Sequence, residues 1–182
     1  MTEIIHYTFR DTSLGLVAMA ATAKGICFVE FGDDRSGLLA KLASAYPSAA
    51  FQVASVTAMP ELETWISALA GHLNTGADLR DLPVDIRGTD FEIMVWSALR
   101  AIPEGDILTY SQLAGRVGRP SAVRAVASAC GRNRIGVLIP CHRVLRGNGE
   151  LGGYRWGLDR KQALLQTERN RVAGSRVSAT AV

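Results

Sequence analysis

The sequence predicts an α+β protein: a small amino-terminal α/β module with a short antiparallel sheet, then a mostly helical module holding a helix-turn-helix and a cysteine loop. Three observations lead there. Runs of strand-like alternation fill the first third, spaced by turn residues. From Thr89 onward, capped helix starts succeed one another and the apolar spacing becomes helical. Near the end of an apolar, strand-like run, Pro140-Cys141-His142 sets a thiol beside an imidazole. Proline fixes its own φ and donates no backbone hydrogen bond, so the chain there is stiff and leaves regular pairing.

Taken in order, strands are expected over residues 4–9, 14–20 and 25–31, separated by Asp11-Thr12-Ser13 and Thr22-Ala23-Lys24-Gly25. Cys27 lies in the third and reads as core. A helix follows from about residue 36 to 46, with Leu38, Leu39 and Leu42 on its buried side and Pro47 as its stop. Residues 49–58 read as a loop. A second helix starts near Pro60, a favoured first position, with Leu62, Trp65, Ile66 and Leu69 at helical spacing. Leu82, Val84 and Ile86 alternate as a short strand, and Gly88 closes the module. His6 and His72 are lone histidines, read as surface or capping residues.

The second module begins with a capping box, Thr89 with Glu92, and a core-facing stripe of Phe91, Val95, Ala98 and Leu99. Thr109 with Gln112 repeats the box and opens a short helix through Leu113, Ala114 and Val117, ended by Gly118. A third helix is expected over residues 121–132, which completes a helix-turn-helix. Its periodicity puts Val123, Val126, Ala127 and Cys130 on one side, and Ser121, Ala125, Ser128 and Ala129 on the other, with Arg124 at the flank. Small residues let a backbone approach closely, as a minor groove about 6 Å wide requires. They equally suit packing against another helix, and periodicity does not choose. Residues 169–182 show no periodicity and read as a mobile tail.

With 182 residues and 48% apolar content, the chain makes one domain or two small ones. It has no apolar run near 18 residues, so no membrane partner is expected, and no secretion signal. Three widely spaced cysteines form neither a disulfide framework nor a zinc pair, so a reduced, cytoplasmic protein without metal or cofactor is expected. Residues 111–160 hold nine arginines against two acidic residues, a balance of +7 in a chain of net +3, leaving −4 for the rest. Either a polyanion partner or a solvated arginine-rich surface accounts for that.

Ile139-Pro140-Cys141-His142-Arg143-Val144 resembles the active-site signature of the O6-alkylguanine-DNA alkyltransferases (methylated-DNA–protein-cysteine methyltransferases). Thr109-Tyr110-Ser111-Gln112-Leu113-Ala114, Ala122-Val123-Arg124-Ala125-Val126-Ala127 and Gly153-Tyr154-Arg155-Trp156-Gly157 resemble the same family at the expected separations. The specific likeness covers about residues 83–168, and the amino-terminal third is more loosely similar, nearest the carboxy-terminal half of the bacterial adaptive-response regulators.

The resemblance implies an organisation of a ribonuclease-H-like module over 1–88, a DNA-binding and alkyl-acceptor domain over 89–170, and a flexible tail over 171–182. It implies a monomer that binds duplex DNA containing O6-alkylguanine, with O4-alkylthymine as a second candidate. The helix-turn-helix, through Ala125 and Ser128, enters the minor groove. Arg124 fills the gap left by an extruded base, and Tyr110 turns the phosphate and touches the flipped guanine. Tyr110 also reads as an ordinary aromatic beside a cap. Cys141 takes the alkyl group, His142 activates the thiol through a water, Glu168 orients that histidine, and Asn133 braces the loop before the cysteine. Asn133 equally suits a helix carboxy-terminal cap. Tyr110, Val144, Tyr154, Arg155 and Trp156 would form the substrate pocket, with the Cys141 and Val144 carbonyls accepting from the guanine amine. The bulk of Arg155 and Trp156 implies poor reaction of large adducts. The thioether product is not readily reversed, so each molecule is expected to act once.

Three rival readings are a transcription regulator, a binding-only relative and a cysteine hydrolase. The first lacks its four-cysteine zinc module here, and the second would lack Cys141. The third would leave the small-faced helix idle.

Overall fold

A computed structural model describes residues 2–79 and 82–179. It divides into two compact units, Met1–Arg87 with Arg134–Gly136, and Gly88–Asn133 with Val137–Val182.

In the first unit, β1 (Ile4–Thr12), β2 (Gly15–Thr22) and β3 (Gly25–Gly32) form an antiparallel meander, and β4 (Ala50–Val53) adds a parallel edge, giving the order β3-β2-β1-β4. Side chains alternate across the sheet as pleating demands. On one face Ile5, Ala18, Ala20, Cys27 and Phe28 pack with Leu38 and Leu42 of α1 (Arg35–Ala45), with Tyr7 and Phe9 beside them. On the other, Thr8 and Arg10 reach Glu63 of α2 (Pro60–Thr75), at 2.7 and 2.8 Å. Leu62, Ile66 and Leu69 of α2 are fully buried; burying such a side chain stabilises by about 1.5–3 kcal/mol.

Two expectations fail here. Residues 49–58 are not all loop, because β4 pairs with β1 from Ile4↔Ala50 to Tyr7↔Val53. Ala50, Gln52 and Val53 are exposed, so this edge strand is held by backbone pairing and carries no burial alternation. The strand expected at 82–86 is a single bridge, Ile26↔Val84. Gly25, at φ +144°, allows that approach, since a Cβ there would meet the Pro83 carbonyl oxygen at 2.7 Å. Arg134–Gly136 returns to the first unit beside β3, with Val29 N–H donating to the Arg134 carbonyl at 2.8 Å.

In the second unit, α3 (Asp90–Arg100) and α4 (Tyr110–Arg116) start from Thr89 and Thr109 with both halves of each capping box formed. After a turn at Gly118 (φ +67°), α5 (Val123–Gly131) completes the helix-turn-helix, slightly shorter than expected. Ala129, assigned to its outer face, is fully buried, and its carbonyl accepts from Trp96 Nε1 at 2.9 Å. The apolar run before Pro140 is not a strand: Val137 sits at φ +69° within a turn, and Cys141–Arg143 forms one 3-10 turn. Then β6 (Val144–Leu145) pairs in parallel with β5 (Leu108–Thr109). The last helix, α6 (Leu158–Ala179), replaces the expected tail over 171–179; residues 180–182 lie outside the described residues. Its buried stripe is Lys161, Leu164, Leu165 and Glu168, and Arg171 continues it in an ion pair with Glu104. Two of those positions are ionisable, so an apolar count along the sequence misses the helix face. Among the described residues no helix is long and apolar enough to cross a membrane.

Candidate active site

Pro140 has no amide hydrogen to give, and the chain tightens just beyond it into the 3-10 turn that begins with Cys141. Cys141 N–H donates to the Ile139 carbonyl at 2.8 Å and Arg143 N–H to the Pro140 carbonyl at 3.0 Å. Asn133, buried just past α5, ties this turn to the helix. Its Nδ2 donates to the Ile139 carbonyl at 2.8 Å and to Cys141 Sγ at 3.4 Å. Cys141 as a residue is 5% exposed. Burial pushes its pKa up, outweighing the Asn133 donor and the charges of Lys161 and Arg155. A thiol so placed stays protonated until a base takes the proton.

The adjacent imidazole is oriented as a base would need. His142 is fully buried, with Nε2 2.7 Å from Glu168 Oε1. Burial tends to protonate Glu168, but hydrogen bonds from His142 and Arg143 hold its pKa down at about 2. An ionised carboxylate only accepts, so Nε2 carries the proton and Nδ1 keeps its lone pair. Nδ1 is buried with no protein partner. Burial lowers the pKa of His142 despite Glu168, so the ring is neutral.

A cleft of about 370 Å³ lies over the thiol. Ala127, Cys130 and Gly131 of α5 line it with Cys141, and Tyr110, Arg146, Gly153, Tyr154 and Arg155 close it. Gly152, at φ +67°, lets the loop fold against Tyr110; a Cβ there would lie 3.3 Å from the ring. Burial raises the Tyr110 hydroxyl to about 12 and holds the Tyr154 hydroxyl well above its ordinary value, so both are protonated donors. The Tyr154 hydroxyl is buried without a partner, and its ring stands edge-on to His142 and Trp156, at centroid distances of 6.5 and 5.1 Å.

Of the anticipated residues, the structure brings Asn133, Cys141, His142 and Glu168 together, and Tyr110, Tyr154 and Arg155 to the cleft. Trp156 and Val144 do not line it. Trp156 is buried behind Tyr154, and the Val144 carbonyl accepts from Lys161 Nζ at 2.6 Å. Arg124, Ala125 and Ser128 lie exposed on the outer face of α5, and the Ser128 hydroxyl accepts from Arg132 at 2.6 Å. Sequence reasoning misses several residues of the site, Lys161 and Cys130 among them. Fully buried Lys161 also donates to the Leu151 and Gly153 carbonyls, pinning the loop that carries Tyr154. Burial brings its pKa to about 8. Cys130, read as plain core, forms part of the cleft wall. The signal for Lys161 was its place seven residues before Glu168, two helical turns away on one face.

Residues 90–170 match the family model described as 6-O-methylguanine DNA methyltransferase, DNA binding domain. The chain is 43% identical over 164 residues to the bifunctional transcriptional activator/DNA repair enzyme Ada of Escherichia coli, a match covering 90% of this chain and 45% of that protein. It is 30% identical over 179 residues to the methylated-DNA–protein-cysteine methyltransferase of Saccharomyces cerevisiae, covering 93% of this chain and 95% of that one. The crystal structure of Mycobacterium tuberculosis OGT in complex with DNA is similar with a TM-score of 0.76 at 30% identity, over 91% of this chain and 94% of that one. The chain thus spans less than half the length of the Escherichia coli relative and nearly all of the other two.

Proposed function

The chain belongs to the methylated-DNA–protein-cysteine methyltransferase family, and from that premise we propose that it moves the alkyl group of O6-alkylguanine in duplex DNA onto its own Cys141, once per molecule. The observation that carries this is a buried thiol under an open cleft, held by Asn133 and followed by an imidazole oriented on a buried carboxylate.

The substrate atom lies inside a duplex, out of reach of a thiol, so the nucleotide must be flipped out at a cost of about a few kcal/mol. The exposed small face of α5 (Ala125, Ser128) approaches the minor groove, and Arg124 beside it stacks in the vacated place. Exposed Arg116 and Arg119 add positive charge facing the phosphates. The flipped base enters between Tyr110 and Tyr154. Sulfur then attacks the alkyl carbon in line: the S–C bond forms, the C–O6 bond breaks, and the thiol proton passes through a water to His142 Nδ1. Guanine departs as its anion, stabilised by the Tyr154 hydroxyl as cleft donor, and is then protonated by the proton that His142 took from the thiol, so that one proton replaces the alkyl group and His142 returns to its neutral form. Arg155, as part of the cleft wall, restricts bulky adducts; Trp156 acts only by supporting Tyr154.

The protein works as a monomer. Its three cysteines are free thiols, which fits a reducing cytoplasm. Incubation with duplex DNA bearing O6-methylguanine, followed by intact mass and peptide mapping, tests the reading. One methyl group per chain is expected, on Cys141 and without further turnover. Multiple turnovers, or label on Cys27 or Cys130, refute it.

A further inference from the structure

The arginine that follows the Cys-His pair is bound more closely to the buried carboxylate than an arginine serving only to meet DNA would be. Arg143 Nε lies 3.1 and 3.0 Å from the two oxygens of Glu168, and Nη2 lies 2.9 Å from Oε1. Its Nη1 donates to the Ile102 carbonyl at 2.6 Å, just past the end of α3. The side chain is 13% exposed, so this is a largely desolvated pair. Gly105 N–H supplies a further donor, to Oε2 at 3.2 Å. Glu168 therefore meets three donor groups, and His142 is only one of them.

We infer that Arg143 is a positioning residue of the thiol-activating chain: its guanidinium compensates Glu168, so that the carboxylate orients His142 without drawing a proton onto it. This rests on the proposed alkyl transfer to Cys141. A lone buried carboxylate at 2.7 Å would favour an imidazolium, and an imidazolium cannot accept the thiol proton. The other groups around the ring supply less of the compensation. Tyr154 is neutral, Cys141 is a protonated thiol, and Lys161 on α6 adds a smaller positive contribution while its donors go to three carbonyls and not to Glu168. Burial is the main cause of the lowered pKa of His142, and the charge of Arg143 adds to it in the sense the geometry requires. Arg143 thus sets the lower pH limit of reactivity while touching neither sulfur nor base.

The test combines methyl-transfer rates across pH with nitrogen NMR of the histidine rings, in wild type, Arg143→Gln and Arg143→Lys. In wild type, His142 is expected to be neutral at neutral pH with its proton on Nε2. In Arg143→Gln the acidic limb of the rate profile, and the His142 titration, should move up by about 1 unit or more. Arg143→Lys keeps the charge and should return both most of the way. A uniform slowing of both variants with an unmoved limb would reduce Arg143 to fold support and overturn the inference. If Arg143→Gln does not fold, the wild-type spectrum still decides: an imidazolium at neutral pH overturns it. Failure of wild type to methylate Cys141 would sink the proposed function, while the NMR result would still report on Arg143.

Discussion

Replacing Glu168 by glutamine keeps shape and volume but removes the charge that holds the active site together. In the native site the carboxylate accepts from His142 at 2.7 Å, from Arg143 at 2.9–3.1 Å and from Gly105 N–H at 3.2 Å. An amide can accept at one end only. Its NH2 would face the donors of Arg143 or Gly105, and Arg143 would be left largely buried without a counter-charge. Breaking a buried ion pair from one side costs about 3–5 kcal/mol. At about 2–4 °C per kcal/mol for a chain of this size, melting should fall by about 6–20 °C. Methyl transfer, measured below the melting range, should collapse as well, because His142 loses the carboxylate charge that stabilises the imidazolium formed when it takes the thiol proton. The pH dependence gives an independent reading. Glu168 has a folded pKa of about 2, below an unfolded value of about 4.3. A depressed carboxylate stabilises the fold fully above the unfolded value, and that stability is lost as pH falls toward the folded one. Wild type should therefore lose about 3 kcal/mol from this group between pH 4.3 and 2, and Glu168→Gln should lack that component. A variant that melts within about 2 °C of wild type and transfers methyl at an unchanged rate would refute the reasoning.

Two further outcomes are expected. Arg124→Ala should slow repair of duplex DNA far more than reaction with free O6-alkylguanine, since the free base needs no extrusion; equal slowing of both would move Arg124 to fold support. It should also lessen the salt dependence of DNA binding by one cation. Methylation of Cys141 should lower the melting temperature by several degrees, because it disturbs the Asn133 contact at 3.4 Å and adds a carbon beside packed atoms, at about 1–3 kcal/mol and about 2–4 °C each. Hydrogen exchange should then rise in α5, and an unchanged melt would show that the cleft already accommodates the methyl group.

The two capping boxes, the breaks at Gly118 and Pro140, and the amphipathic spacing of α2 and α3 depend on contacts within one or two turns. Thr89, Thr109, Pro60 and Gly118 therefore announced their structure in the sequence alone. Cys141 and His142 were legible for a similar reason, as neighbours in a recognisable motif. Other features needed the folded chain. β4 exists because β1 offers it a backbone edge, which no side-chain pattern records. Val137 takes a left-handed conformation inside an apolar run that reads as a strand, because the chain must turn there to bring Cys141 back to Asn133. The active face of α6 alternates leucine with Lys161 and Glu168, so the property that hydrophobic periodicity measures is absent where the helix matters most. The sequence ties Glu168 to His142 only through resemblance, and its hold on Arg143 and the Gly105 amide depends on a loop and a helix distant in sequence. Local hydrogen bonding and spacing determined where the elements start and stop. Tertiary structure decided which buried charges meet, because a charge enters the core only where the fold supplies a partner.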